Sequence, residues 1–440
     1  MSMNTSTRVH QVADRPASRG KAWGLTFFLV ALYTVNFGNQ AVLGLAAQPL
    51  KAEFGLTSAQ IGTIGSAFFG AMLVGGLLAG TLSKWLTLRW ALALLALAWA
   101  VVMLPMVFAA GFAVLLISRL LLGLAEGPSA SLIFTAAYSW HPEDRRSLPA
   151  TVITSAASLS KVAIAPVLAV VIAQWGWRAG FLVLAGVAVL WCVVWLLIWS
   201  DGPYGAQRGQ GSSAGSEPVD KNNAAEWRRL LLTPTFLAAT FAAASMFAVI
   251  AMGLTWIPSY FEQGLGYSRV QSGTMFALPS AAALVFMFLF SFLSDQLLGR
   301  GVSKRLVRGV LPAAGLVLGG LALLLLPVFG APAVAVLVLS VGYGLGSTVM
   351  PLFNAAVADV APPRQLAGAL GVFTAACYVG GIIGPLATGK FVAAGTGASG
   401  YLLAFQIFGG VALVAAFIAM VAVNPVRDAL RMQQAVDQNV

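Results

Sequence analysis

Residues 180–200 read Gly-Phe-Leu-Val-Leu-Ala-Gly-Val-Ala-Val-Leu-Trp-Cys-Val-Val-Trp-Leu-Leu-Ile-Trp-Ser, without one charged side chain. A run of about 20 such residues is what a helix needs to cross the hydrocarbon of a bilayer. In lipid, helices and closed barrels are the structures that satisfy their own backbone. Directly after this run the chain changes character. Residues 201–233 form its longest hydrophilic interval, with Gly-Gln-Gly-Ser-Ser-Ala-Gly-Ser at 209–216 and then charges. That composition is a flexible linker. Outward from this junction, apolar runs recur on both sides. Before it lie 24–48, 57–82, 90–109, 112–139, 147–173 and 180–200; after it lie 234–261, 270–297, 306–327, 332–357, 365–389 and 401–423. The expected fold is an all-α membrane protein with twelve transmembrane helices in two pseudo-symmetric six-helix bundles. The tail 1–23, bundle 24–200, linker 201–233, bundle 234–423 and tail 424–440 are its parts.

Composition agrees. The 440 residues are 59% hydrophobic and only 9% charged, with a mean hydropathy of +0.88, too few charges for a water-facing surface. The first 22 residues are polar and run into a full-length span, so no cleavable secretory leader is expected. Cys192 and Cys377 both lie in apolar spans, which argues against a disulfide framework.

A net charge of +11 would suit nucleic acid, but its distribution suits a membrane. With the N-terminus inside, the cytoplasmic segments hold 19 Lys and Arg and the outer loops hold four: Lys51, Arg178, Arg269 and Lys390. This positive-inside bias requires an even number of spans and puts both termini in the cytoplasm of an inner, or plasma, membrane. A weak internal echo supports paired halves. Gly80-Thr-Leu-Ser83-Lys84 with Arg89 follows the second span; Ser291-Phe-Leu-Ser294-Asp295 with Arg300 follows the eighth. Such halves are the usual plan of alternating-access carriers.

The remaining cations, Arg119 and Lys161, lie within spans, and Glu126 is the acid nearest a mid-span position. A charge at the bilayer centre costs roughly 2.5–3.5 kcal/mol on insertion scales, so such residues line polar cavities and find partners. Arg119 and Glu126 share one helix face about 10 Å apart, with Gly123 between them leaving room for a ligand or another helix. Two readings stand together. Glu126 and Lys161 form a structural ion pair that locks two helices; or Glu126 takes up and releases a coupling proton while Arg119 or Lys161 attracts an anion. Burial and a neighbouring cation pull a carboxyl's proton affinity in opposite senses, so Glu126 can be tuned to titrate. His10 and His141 fall in a tail and a loop, and no phosphate-binding loop is present. A metal site, an enzyme triad, a cofactor and ATP-driven pumping are therefore not expected.

These residues match a known pattern. The chain resembles the major facilitator superfamily, in its anion:cation symporter branch of bacterial organic-acid and sugar-acid carriers. The likeness rests on Arg-Leu-Leu-Leu-Gly-Leu-Ala-Glu-Gly-Pro (119–128), Thr255-Trp-Ile-Pro-Ser-Tyr260, Ser294-Asp295 through Arg300-Gly-Val-Ser303, Asn354 with Ala358-Asp-Val-Ala-Pro362, Gly368 with Gly371, and Gly380-Gly-Ile-Ile-Gly-Pro385. It implies proton-driven uptake of small carboxylates, with Glu126 as the coupling acid. It also implies a cytoplasmic gate at Asp295 and Arg300 with Lys84 and Arg89, closed in the outward-open state; the competing reading is a basic loop that only sets topology. Ser83 stands where the first-half gate usually has Asp. The first span departs further: the family commonly has Asn-Tyr-x-Asp-Arg, and this chain has Asn36-Phe-Gly-Asn39-Gln40. Asn39 then replaces a second protonatable acid, and Gln40 replaces an Arg that grips the substrate.

The resulting expectation is a proton symporter that imports a small carboxylate or sulfonate and works as a monomer in the lipid bilayer. Glu126 is its one proton site; Lys161, Arg119, Gln40, Asn39 and Tyr33 hold the anion, with Tyr378 and Thr374 facing it from the second half. For Tyr33 and Asn39 the alternative is interhelical hydrogen bonding. An exporter or exchanger of organic acids or drug-like compounds, and a transport-dead sensor, are the competing functions.

Overall fold

The computed structural model describes residues 19–108, 111–142, 147–204, 221–362 and 365–437. Among them are twelve helices long and apolar enough to cross a membrane. They are α1 (Arg19–Phe54), α2 (Ser58–Trp85), α3 (Leu88–Phe108), α4 (Phe112–Tyr138), α5 (Leu148–Trp175) and α6 (Trp177–Ile198). After the linker come α7 (Pro234–Gly264), α8 (Arg269–Gly299), α9 (Leu306–Leu324), α10 (Pro332–Val360), α11 (Leu366–Ala394) and α12 (Ser399–Ala422). Each lies on an apolar run read from the sequence. The first is longer than its hydropathy suggested and ends only at Gly55, whose φ of 62° turns the chain out of the helix. Gly176, at φ 82°, makes the equally tight corner between α5 and α6.

Prolines account for several of the irregularities in these long helices. A ring at position i displaces the carbonyl of residue i−4 and supplies no N–H, so the break falls a few residues upstream. The helix of α8 is interrupted at Phe276 before Pro279, and that of α10 at Thr348 before Pro351. In α5 the turn Ser160–Ile164 widens to π geometry ahead of Pro166. In α4 the interruption falls at Gly127–Pro128 itself, and Ser129 Oγ donates to the Glu126 carbonyl at 2.5 Å. Pro385 is carried inside a continuous α11. Local π turns and hydroxyls re-satisfying freed carbonyls are how membrane helices tolerate proline.

Small residues set the packing. In the first half α2 and α4 touch through Gly75, Gly123 and Gly127, and a Cβ on Gly123 would strike the Phe68 carbonyl. The room expected at Gly123 is therefore taken by a helix. The two halves meet closely at the end away from the termini. There Gly44 of α1 lies against the Leu254 carbonyl of α7, Gly62 of α2 against Pro385 and Gly389 of α11, and Gly273 of α8 against Ala169 of α5. The Gln48 and Gln263 amides hydrogen-bond across the same end, and Tyr401 Oη donates to Gln263 at 3.1 Å.

Two further helices lie at the termini end, both outside the spans. Residues Lys221–Leu231, within the interval read as a flexible linker, form a helix that precedes α7. The tail helix Pro425–Asp437 packs beside it and α10. Asp428 anchors it. This fully buried carboxylate accepts the Thr235 backbone N–H at the start of α7 (2.9 Å) and the Arg427 guanidinium (2.8 and 3.1 Å). Burial pushes its proton affinity up, but the Arg427 and Thr235 hydrogen bonds outweigh that and hold its pKa below the usual carboxylate value.

Candidate substrate and proton sites

A cavity of about 660 Å³ opens between the halves toward the termini end, where α5, α8 and α10 diverge. That is ample for a small organic molecule. Phe37 and Gln40 of α1 and Lys161 of α5 line it, joined by Phe247, Ile250 and Leu254 of α7, Met287, Phe288 and Ser291 of α8, and Tyr343, Ser347 and Met350 of α10. Lys161 is the one charged side chain among these lining residues. It is 9% exposed and sits on the π turn of α5, an irregularity that membrane and soluble helices often keep at functional positions. Its ammonium donates to Tyr343 Oη at 3.1 Å and lies 5.6 Å from that ring's centre. The contact joins the first half to the second.

This geometry corrects the ion-pair reading. Lys161 does not neutralise Glu126; its partner is a phenol on α10. Glu126 is completely sealed, with Oε2 accepting from Gln40 Nε2 at 3.3 Å and Oε1 without a partner. Gln40 also donates toward Asn36 Oδ1 at 3.4 Å, four residues back on the same face of α1. Asn36 and Asn39 are buried on the same helix, and their side-chain nitrogens have no hydrogen-bond partner among the described residues. Gln40 therefore touches two compartments: its side chain borders the cavity and its amide reaches the sealed acid.

Arg119, expected to attract the anion, does not reach the cavity. It is 1% exposed, donates to the Asn39 carbonyl at 2.8 Å, and lies about 6 Å from the ring centres of Phe68 and Phe181. A delocalised guanidinium is weakly hydrated and tolerates such a place between aromatic faces and a carbonyl. Asn39 is likewise buried away from the cavity lining. Tyr33 is half-buried against Phe37 (4.8 Å between ring centres), and Tyr378 packs on Phe247 (5.4 Å). Thr374 is exposed, donates back to Leu370 of its own helix at 2.8 Å, and does not line the cavity.

The expected gate residues are apart. Asp295 and Arg300 are exposed, and neither side chain makes an ion pair among the described residues. Arg89 donates to the Leu196 carbonyl at 2.5 Å, capping the end of α6 in its own half. The Lys84 side chain lies outside the described residues. In the second half Lys304 pairs with Asp359 at 3.3 Å, and Arg308 reaches Ser294 at 3.3 Å. No ion pair among the described residues crosses between the halves at this open end.

Twelve spans, a cavity between two halves and one closed end describe a carrier, and a family model identifies which. The Major Facilitator Superfamily model matches residues 29–347. The chain belongs to the Major Facilitator Superfamily.

It is a membrane transporter, not an enzyme. Among its facilitator relatives is a probable sulfoacetate transporter of Cupriavidus necator, 30% identical over 410 residues, covering 90% of this chain and 92% of that protein. The D-galactonate transporter of Escherichia coli is 25% identical over 435 residues, covering 93% and 98%. A solved bacterial homologue of the human lysosomal transporter Spinster, in an inward-facing and occupied conformation, shares the fold. Its TM-score is 0.78 at 16% identity, over 94% of this chain and 99% of that one.

Within this facilitator, sequence reasoning missed Tyr343 and the hydroxyl face of α5. Thr151, Thr154, Ser155 and Ser158 precede Lys161 at helical spacing and all line the cavity. That spacing was visible in the chain. Tyr343 carried a fainter signal, a lone phenol between two glycines in an apolar span, and nothing in the sequence tied it to Lys161.

Proposed function

We propose that this transporter imports a small organic anion together with a proton by alternating access, with Lys161 anchoring the anion and Glu126 carrying the proton. Its relatives include a probable sulfoacetate transporter and a D-galactonate transporter, and transport of an acid fits a cavity whose one charged lining residue is a cation. The observation that carries the coupling is Gln40, which borders the cavity beside Lys161 and donates its amide to the sealed carboxyl of Glu126. One amide cannot be turned fully to both an incoming anion and the carboxylate, so the two cargoes are linked through one side chain. The anion also competes with Tyr343 for the ammonium, and release of that bond frees α5 from α10. We place the protein as a multi-pass inner-membrane carrier with both termini, and hence the open end, in the cytoplasm. Asp295 and Arg300 belong on this proposal to the gate that closes that end.

Purified protein in liposomes tests the reading. An inward proton gradient should drive accumulation of the anion with one proton per monoanion. Glu126→Gln should keep exchange of anion for anion and lose gradient-driven accumulation. More than one proton per monoanion, or accumulation that persists in Glu126→Gln, would defeat the single-carboxyl assignment. Accumulation only against an outward gradient would make it an exporter.

A further inference from the structure

We infer that the cavity selects monoanions with an apolar, ring-sized body over dianions and polyhydroxy acids. This rests on the anion reading above and narrows it. Three features carry it. The first is charge: Lys161 is the one cation lining the space, and it already gives one of its three donors to Tyr343. One ammonium balances one carboxylate or sulfonate, and a second anionic group would be buried without a partner. Arg119, the other buried cation of this region, is sealed beside Phe68 and Phe181; one nitrogen donates to the Asn39 carbonyl, and its unpartnered Nε and Nη2 do not line the cavity.

The second feature is the wall facing α5, which is mostly apolar: Phe247 and Leu254 from α7, Met287 and Phe288 from α8, and Met350 from α10 outweigh Ser280, Ser291 and Ser347. Aromatic and thioether side chains offer large, polarizable contact area to a flat ring and no hydrogen bonds to a polyol.

The third is the state of the hydroxyls. Thr154 and Ser155 donate into their own helix at 2.8 and 2.7 Å, and Ser347 does the same to the Tyr343 carbonyl at 2.8 Å. A sugar acid leaving water would find these three donors taken, leaving Ser158, Ser280 and Ser291 to serve its several hydroxyls. A ring with its anionic group on Lys161 would lie with one edge along Thr151 and Ser158 and its face on the α7–α8 wall.

The test compares four probes on the purified full-length protein by equilibrium binding: 3-phenylpropionate, gluconate, glucarate and sulfoacetate. 3-Phenylpropionate should bind at least tenfold more tightly than gluconate, which carries the same charge, and more tightly still than the dianions glucarate and sulfoacetate. A smaller or reversed preference, with binding that Lys161→Ala abolishes, overturns this inference and leaves the anion assignment standing. Binding of none of the four by the wild type overturns the anion assignment, and this inference with it. Met287→Arg supplies a second cation on the facing wall. It should bring glucarate to parity with 3-phenylpropionate, and an unchanged ranking in a folded variant would count against the charge argument.

Discussion

Glu126 on α4 and Lys161 on α5 both reach the interior of the first bundle, yet one is sealed and the other forms part of the cavity wall. The acid keeps one oxygen without a partner; the ammonium has a single phenol partner that belongs to the second half. On the proposed coupling, burial divides the labour. A proton passes through a hydrogen-bonded amide or a transient water and can reach a sealed group, whereas an anion must meet its cation in open space. Asp428 is the instructive contrast. It is as buried as Glu126, but it accepts from the Thr235 backbone and twice from Arg427. A buried charge whose partners are complete holds structure together, whereas the unpartnered Glu126 Oε1 calls for an explanation that the proposed proton exchange would supply.

Breaking the cavity side should cost most. Lys161→Ala should weaken anion binding at least hundredfold, about 2.7 kcal/mol, in a titration on purified protein, and Lys161→Arg should restore part of it. The structural charge comes next. Asp428→Asn should destabilise the protein by about 2 kcal/mol, the scale of charge-assisted hydrogen bonds, seen as a lower thermal midpoint with anion affinity unchanged.

The same residue gives a pH signature. Its folded pKa is depressed, so its contribution is fully present above the unfolded value of about 3.9. That contribution is lost as pH falls through the lower folded value. Wild type should lose thermal stability below about pH 4 more steeply than Asp428→Asn. The link between the two sites ranks third: Gln40→Leu should cost about tenfold in affinity, or 1.4 kcal/mol. It should also flatten the pH dependence of binding, which a purely structural role would leave alone. Smallest is Tyr343→Phe, which removes a competitor for the ammonium. Anion affinity should rise two- to threefold while the exchange rate changes, as measured by counterflow.

Most of the fold was legible because lipid imposes a simple code. Each span had to be about 20 apolar residues, and runs such as 180–200 could be little else. The site was legible only in its charges. Glu126 and Lys161 stand out against an apolar background, but sequence spacing cannot say which helices face each other. The ion pair expected of these two intramembrane charges therefore gave way to Lys161 with Tyr343, 182 positions apart. Arg119 misled for a related reason. A guanidinium in a span can serve a cavity or be packed between rings, and only the placement of Phe68 and Phe181 decides. Gly123 was correctly seen as a space on α4, and the neighbour that fills it, the Phe68 carbonyl, comes from elsewhere in the chain.

The pairing of one sealed carboxyl with one cavity cation also has an energetic consequence. A carrier that moves one proton with one monoanion transfers no net charge. A membrane voltage does work of about 2.3 kcal/mol per charge per 100 mV, and it would do none on this cycle. Accumulation would then follow the pH difference alone, with the yield unchanged when the voltage is clamped by potassium and valinomycin. A cell using this protein would draw the acid inward in acidic surroundings and lose that pull as they turned alkaline, however well energised its membrane remained.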